Sequence, residues 1–163
     1  MEYTFRRVTE NDKVPVIDIF NYYIEHSFAA FLDQKLSYDS FQPLLEMTTG
    51  YPFYVIEDET NAVLGFGFLG KYHPSEAFNH VAELSYFILP PHVQKGLGTQ
   101  LLNILSVEAK ELGIEALLAN ITSLNLPSLN FHLKQGFTEC GRFVRIGKKH
   151  NTVFDVVWMQ KFI

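Results

Sequence analysis

The chain has 163 residues, enough to bury a hydrophobic core as one domain, and its 47% hydrophobic and 15% aromatic content excludes a disordered polypeptide. A net charge of −5 argues against a broad nucleic-acid-binding surface, although Arg142, Arg145, Lys148 and Lys149 crowd one stretch near the C-terminus. The single cysteine, Cys140, excludes an internal disulfide framework and a cysteine-based zinc cluster, and reads as small apolar filler.

In chain order, Tyr3–Val8 reads as an opening strand. The stretch from Thr9 to His26 follows as a helix, with a Thr-x-x-Asp start resembling a capping box and apolar residues at helical spacing. A second helical stretch runs from Ser37 to about Met47. "YPFYVIEDETNAVLGFGFLGKYH" predicts a hairpin turning at Asp58–Asn61, and the next strand spans about His80 to Leu89 until Pro90 and Pro91 stop it. From Leu97 a helix carries an apolar stripe of Leu97, Leu101, Leu102, Leu105, Ala109 and Leu112, closed by Gly113. "IEALLANI" is a short buried strand, and Pro127 opens a compact helix to Gln135, with Leu126, Leu129 and Leu133 expected in the core. Two last strands, "FTECGRFVRI" and "TVFDVVWMQKFI", complete a mixed α+β domain in which a sheet is covered by helices. No apolar run reaches the roughly 18 residues of a membrane helix, and nothing resembles a signal peptide, so a soluble cytoplasmic protein is the expectation.

The chemistry concentrates around "ELSYFILPPHVQKGLGTQLL", Glu83 to Leu102. Gly96 and Gly98 lie at a helix start, where unpaired amides and the positive end of the helix dipole suit a pyrophosphate. A turn that merely starts a helix gives the same spacing. A nucleotide P-loop would need a lysine before Thr99, and a dinucleotide fingerprint would need glycine where Leu101 stands. Gln94-Lys95-Gly96-Leu97-Gly98, after a strand and before a helix, resembles the Gln/Arg-x-x-Gly-x-Gly/Ala loop of the GNAT acetyltransferase superfamily. "ITSLNLPSLNFHLKQGF" is similar to that family's downstream segment. "EAFNHVAELSYFI" and "GKKHNTVFDVVWMQ" resemble its phosphinothricin/methionine sulfoximine acetyltransferase branch.

The resemblance implies a GNAT fold over residues 1–163. Its central, mostly antiparallel mixed sheet of about seven strands would splay at the acetyl-CoA site, flanked by about four helices. It implies acetyl-CoA as donor, held by Phe87, Ile88, Leu89, Gln94, Lys95, Gly96, Leu97, Gly98, Thr99, Asn125 and Ser128. It further implies a small-molecule amine as acceptor, with neither nucleic acid nor membrane as partner, no metal, and a homodimer as candidate assembly. Transfer to an amine calls for a base toward the ammonium, a polarised thioester carbonyl and a proton source for the leaving thiolate. Glu83, an acid in an apolar strand, is the candidate base, directly or through water; a structural ion pair is the alternative. Strand alternation sets Glu83, Ser85 and Phe87 on one face and Leu84, Tyr86 and Ile88 on the other, so Tyr86 turns away from Glu83. Asn125, Ser128 and His132 share a helical face, and His132 takes the position of the family's proton-donating tyrosine; an acid role and a structural role both stay open. His80 and His92 bracket the strand without a third ligand at metal spacing. His150 falls near the acceptor pocket or on a surface loop, and Asp155 orders the final strands.

The acceptor is less defined. Ser75 stands where the branch carries arginine, Phe154 precedes Asp155, and "HSFAAFLDQKLS" matches the acceptor loop only loosely. A peptide N-terminus or a polyamine remains an alternative acceptor, and a non-catalytic acyl-CoA-binding module an alternative role.

Overall fold

The computed structural model describes residues 2–163. Seven strands form one sheet in the order β1-β2-β3-β4-β5-β7-β6. They are β1 Tyr3–Arg7, β2 Phe53–Asp58, β3 Val63–Lys71, β4 Val81–Ile88, β5 Ala116–Thr122, β6 Thr138–Lys149 and β7 Thr152–Phe162. Four helices cover it: α1 Lys13–His26, α2 Phe41–Met47, α3 Leu97–Glu111 and α4 Leu126–Lys134. Every strand pairing is antiparallel except β4 with β5, which run parallel.

Period-2 alternation divides the core between the two faces. Phe53, Val55, Phe66 and Phe68 pack against Val16, Ile17 and Ile19 of α1 and Phe41 of α2. On the other face Leu69, Leu84, Ala119, Ile121 and Met159 meet Leu97, Leu101, Leu102, Leu105 and Ala109 of α3. The expected stripe of α3 therefore holds up to Ala109, but Leu112 is exposed; it is the C-cap residue, and the chain turns away there through Gly113 at φ +79°. The start of α1 is secured by Asp12, whose carboxylate accepts from the Thr9 amide (2.7 Å) and pairs with Arg6 (2.8 Å).

Two sequence expectations need correction. In α4, Leu126 and Leu133 are 63% and 54% exposed, while His132 is buried at 3%. The helix packs through Leu129 and Phe131, and the polar ring of His132 can be buried because both its nitrogens find partners. Cys140 is exposed, because β6 is an edge strand whose residues are nearly all exposed.

Candidate active site

The parallel register of β4 and β5 lasts from Val81↔Ala116 to Glu83↔Leu118, and no pairing continues beyond it. The strands part there, and a cleft of about 200 Å³ opens through the sheet. On the α1 face its walls are Phe20, Ala29, Ala30, Phe31, Phe68 and Phe87. On the α3–α4 face they are Leu84, Tyr86, Ala119, Ile121, Asn125, Ser128 and His132, whereas Asn120 and Thr122 of β5 alternate onto the α1 face.

Backbone direction decides which groups of β4 face the gap. The Leu89 amide donates to the Leu64 carbonyl of β3 (2.8 Å), and the Phe87 carbonyl lies close against Gly65 of the same strand. By alternation Tyr86 and Ile88 send their backbone groups the other way, toward the departed β5. Of Phe87, Ile88 and Leu89, expected to hold the coenzyme, the backbone of Ile88 thus faces the gap, whereas Phe87 and Leu89 are engaged with β3. The Ile88 carbonyl is itself taken by the Tyr23 hydroxyl.

The glycine loop lies beside the end of β4, with none of Gln94–Thr99 in the cleft lining. Gln94 (φ 63°) and Gly96 (φ 79°) both adopt left-handed backbone, which turns the chain into the first turn of α3. Gly98 faces α4 and the end of β4: a Cβ there would lie 3.3 Å from Phe131 Cζ and 3.8 Å from Ile88 Cδ1. Thr99 Oγ1 accepts from Gln135 Nε2 (3.1 Å), tying the start of α3 to the end of α4. Lys95 is exposed, its Nζ 3.3 Å from the Tyr3 hydroxyl. Leu97 is buried beneath the loop as part of the core.

On α4, Asn125 Oδ1 accepts from the Ser128 amide as the N-cap (3.3 Å). His132 Nδ1 lies 2.7 Å from the Ser128 carbonyl, which can only accept, so Nδ1 carries the hydrogen. Burial lowers the His132 pKa, partly offset by that bond to Ser128, which favours the neutral ring. Its bare Nε2 then accepts from the Tyr86 hydroxyl at 2.6 Å. Burial raises the Tyr86 pKa well above its usual value, so this hydroxyl keeps its proton. Asn125, Ser128 and His132 do share one cleft wall, as their spacing implied, and Tyr86 joins them from the adjacent strand. The alternation argument correctly turned Tyr86 away from Glu83; it left unstated that this same turn aims Tyr86 at α4.

Glu83 stands on the opposite face, outside the cleft lining, and accepts a hydrogen bond from Asn120 Nδ2. Burial raises its pKa and the Asn120 bond pulls it partly back. Asn120 does line the cleft, so it carries contact from the carboxylate to the opening. Sequence reasoning overlooked Asn120; its signal was a lone amide in a buried strand next to the acid's strand.

The remaining positions settle simply. Asp155 accepts from the Arg145 amide (2.8 Å) and from Arg142 (3.1 Å), which fits its ordering role. His150 is exposed in the β6–β7 turn with its ring 6.1 Å from Phe28. Ser75 belongs to a short turn beside the aromatic group of Tyr72, His73 and Phe78.

Known proteins resemble this chain in sequence and fold. The family model described as "Acetyltransferase (GNAT) family" matches residues 16–137. The L-amino acid N-acyltransferase MnaT of Escherichia coli is 31% identical over 96% of this chain and 92% of its own. A Salmonella typhimurium L-methionine sulfoximine/L-methionine sulfone acetyltransferase is 30% identical over the same shares. Among solved structures, a phosphinothricin acetyltransferase from Sinorhizobium meliloti in complex with AcCoA superposes with a TM-score of 0.94 at 25% identity, covering 100% of this chain and 89% of that one. A parted parallel strand pair beside a glycine loop and helix N-terminus, together with these matches, makes the chain a member of the GNAT acetyltransferase family.

Proposed function

We propose that the protein transfers the acetyl group of acetyl-CoA to the primary amine of a small, amino-acid-like molecule, by direct attack while donor and acceptor are bound together. The observation that carries this reading is the cleft where β4 and β5 part, lined by Tyr86, Asn125, Ser128 and His132 on one face and by aromatic rings on the other. The residues fit the donor. Gln94, Lys95, Gly96, Leu97, Gly98 and Thr99 would hold its pyrophosphate on loop and helix amides. Tyr86 and Ile88 of β4, with Asn125 and Ser128, would line its arm. Bound there, acetyl-CoA supplies the thioester carbon that the amine attacks.

In this reading Glu83 takes a proton from the ammonium through a water next to Asn120, and its raised pKa makes it a stronger base than an exposed glutamate. The amine nitrogen bonds the carbonyl carbon and the carbon–sulfur bond breaks; the second proton of the nitrogen leaves with the sulfur as the free thiol, and the Tyr86 hydroxyl turns from His132 to donate a hydrogen bond to that sulfur as it departs. His132 then acts by holding Tyr86: its Nδ1 hydrogen is fixed on Ser128 and its neutral Nε2 has no proton to give. The steps use protein side chains and no metal. On the acceptor side Phe20, Phe31, Phe68 and Phe87 suit an apolar substituent.

The same proposal treats residues 1–163 as one catalytic domain working in the cytoplasm without nucleic-acid or membrane partners. No helix among the described residues is long and apolar enough to cross a membrane. The exposed Phe143, Val144 and Ile146 on edge strand β6 support a homodimer, which sedimentation at several concentrations would detect. The deciding experiment is a thiol-release assay with acetyl-CoA against amino acids, amino-acid analogues, polyamines and short peptides. Release confined to the first two groups supports the proposal, and release only with peptides or polyamines moves the acceptor class. Tight acetyl-CoA binding with no release for any amine would favour a non-catalytic binding module.

A further inference from the structure

Lys149 is 1% exposed, which is unusual for a lysine at the end of an edge strand. Its Nζ donates to the Ser27 carbonyl (2.8 Å) and the Ala30 carbonyl (2.7 Å). A buried ammonium is costly unless its donors are satisfied, and these carbonyls satisfy two of them. Ser27 is also the C-cap residue of α1, where unpaired carbonyls and the negative end of the helix dipole favour a cation. The lysine therefore ties the last hairpin to the segment that leaves the first helix, more than a hundred residues away in sequence.

That segment forms part of the cleft. Ala29, Ala30 and Phe31 line its acceptor side. The hairpin grips it a second time, because Phe31 stacks on Phe154 of β7 (centroids 6.0 Å apart, planes 16° apart). Phe154 in turn lies against Gly147 of β6, where an added Cβ would come within 2.1 Å of the ring. The wall is thus set by an ammonium bonded to carbonyls and a ring seated on a glycine, both from β6–β7 and both remote from the glycine loop.

Resting on the proposed acetyl transfer, we infer that Lys149 is a positioning residue for acceptor specificity: it holds residues 27–31 as the wall against which the acceptor's apolar group packs. An isosteric Lys149→Met change removes the ammonium and leaves two carbonyls unpaired. With L-methionine as acceptor, the KM should rise about tenfold while kcat and the KM for acetyl-CoA stay within about twofold, the pattern of lost ground-state binding. L-alanine, which does not reach the wall, should change less. Phe31→Ala loosens the same wall without touching the ammonium and should raise the methionine KM in the same way. Hydrogen exchange should quicken at 27–31 in Lys149→Met and stay unchanged at 94–99. Unchanged exchange at 27–31, or a methionine KM unaffected in Phe31→Ala, overturns the inference, as does a parallel rise in the acetyl-CoA KM. If the wild-type enzyme acetylates neither amino acid, the acceptor proposal fails instead, and the exchange measurement still decides whether Lys149 holds the segment.

Discussion

The two faces of the cleft are built by different means. On the proposed reading the coenzyme side comes from short local pieces, the loop Gln94–Thr99 next to the cleft and one turn of α4, whose groups are already directed by glycine, a helix start and an N-cap. The face proposed for the acceptor is assembled from α1, the segment after it, β3 and β4, with the β6–β7 hairpin holding that segment. A device that only has to present amides can be written in six consecutive residues. A chamber that has to match a substrate's shape draws its walls from wherever the fold brings side chains together, and can change without disturbing the donor site.

The sharpest test of this division is Glu83→Gln. It should lower kcat about a hundredfold or more while calorimetry shows unchanged acetyl-CoA affinity, because the carboxylate lies on the face proposed for the acceptor. A large loss of coenzyme affinity would break the division. Next in size, Tyr86→Phe removes the hydroxyl offered to the thiolate and should reduce kcat about tenfold; His132→Gln should act in the same direction, and no additional loss is expected in the double variant if the two residues act as one unit. Gly98→Val sets side-chain carbons against Phe131 and should weaken acetyl-CoA about tenfold, or roughly 1.4 kcal/mol, with acceptor KM little altered.

The smallest effect is one of stability. Burial holds the His132 pKa below its ordinary value, so the unfolded chain takes up this proton first. The stability conferred by the neutral ring is complete above about pH 6.5 and declines as the pH falls below it. Glu83 has the opposite sign: its raised pKa makes ionisation a cost that grows as the pH rises above the ordinary glutamate range. Melting temperatures between pH 7.5 and 5.5 should fall for the wild type and fall less steeply for His132→Gln. Equal slopes would mean that His132 does not titrate as its burial implies.

Much of this was readable from the chain. Alternation along Val81–Ile88 placed Glu83 and Tyr86 on opposite faces, and the glycine loop announced itself by position between a strand and a leucine-striped helix. Spacing on α4 brought Asn125, Ser128 and His132 together but misjudged which side is buried. The sequence pattern weighs leucine against histidine by hydropathy, whereas the fold buried the histidine because Tyr86 and Ser128 satisfy both ring nitrogens. Lys149 escaped for a similar reason. A lysine among Arg142, Arg145 and Lys148 reads as one more surface cation, and only the return of β6 to the end of α1 reveals two carbonyls waiting for it. The partners that override hydropathy are distant in sequence, and spacing is blind to them.

The brief parallel seam between β4 and β5 has a consequence for cohesion. Four strands lie on one side of it and three on the other, and the seam itself spans only the pairs from Val81 to Glu83. The sheet is therefore two ribbons sewn together at one end, with the packed helices α3 and α4 as backing. A donor lying in the unsewn length would act as a missing thread, so saturation at about a hundred times its dissociation constant, worth about 2.7 kcal/mol, should be felt as a stiffening across the whole sheet before any acceptor arrives.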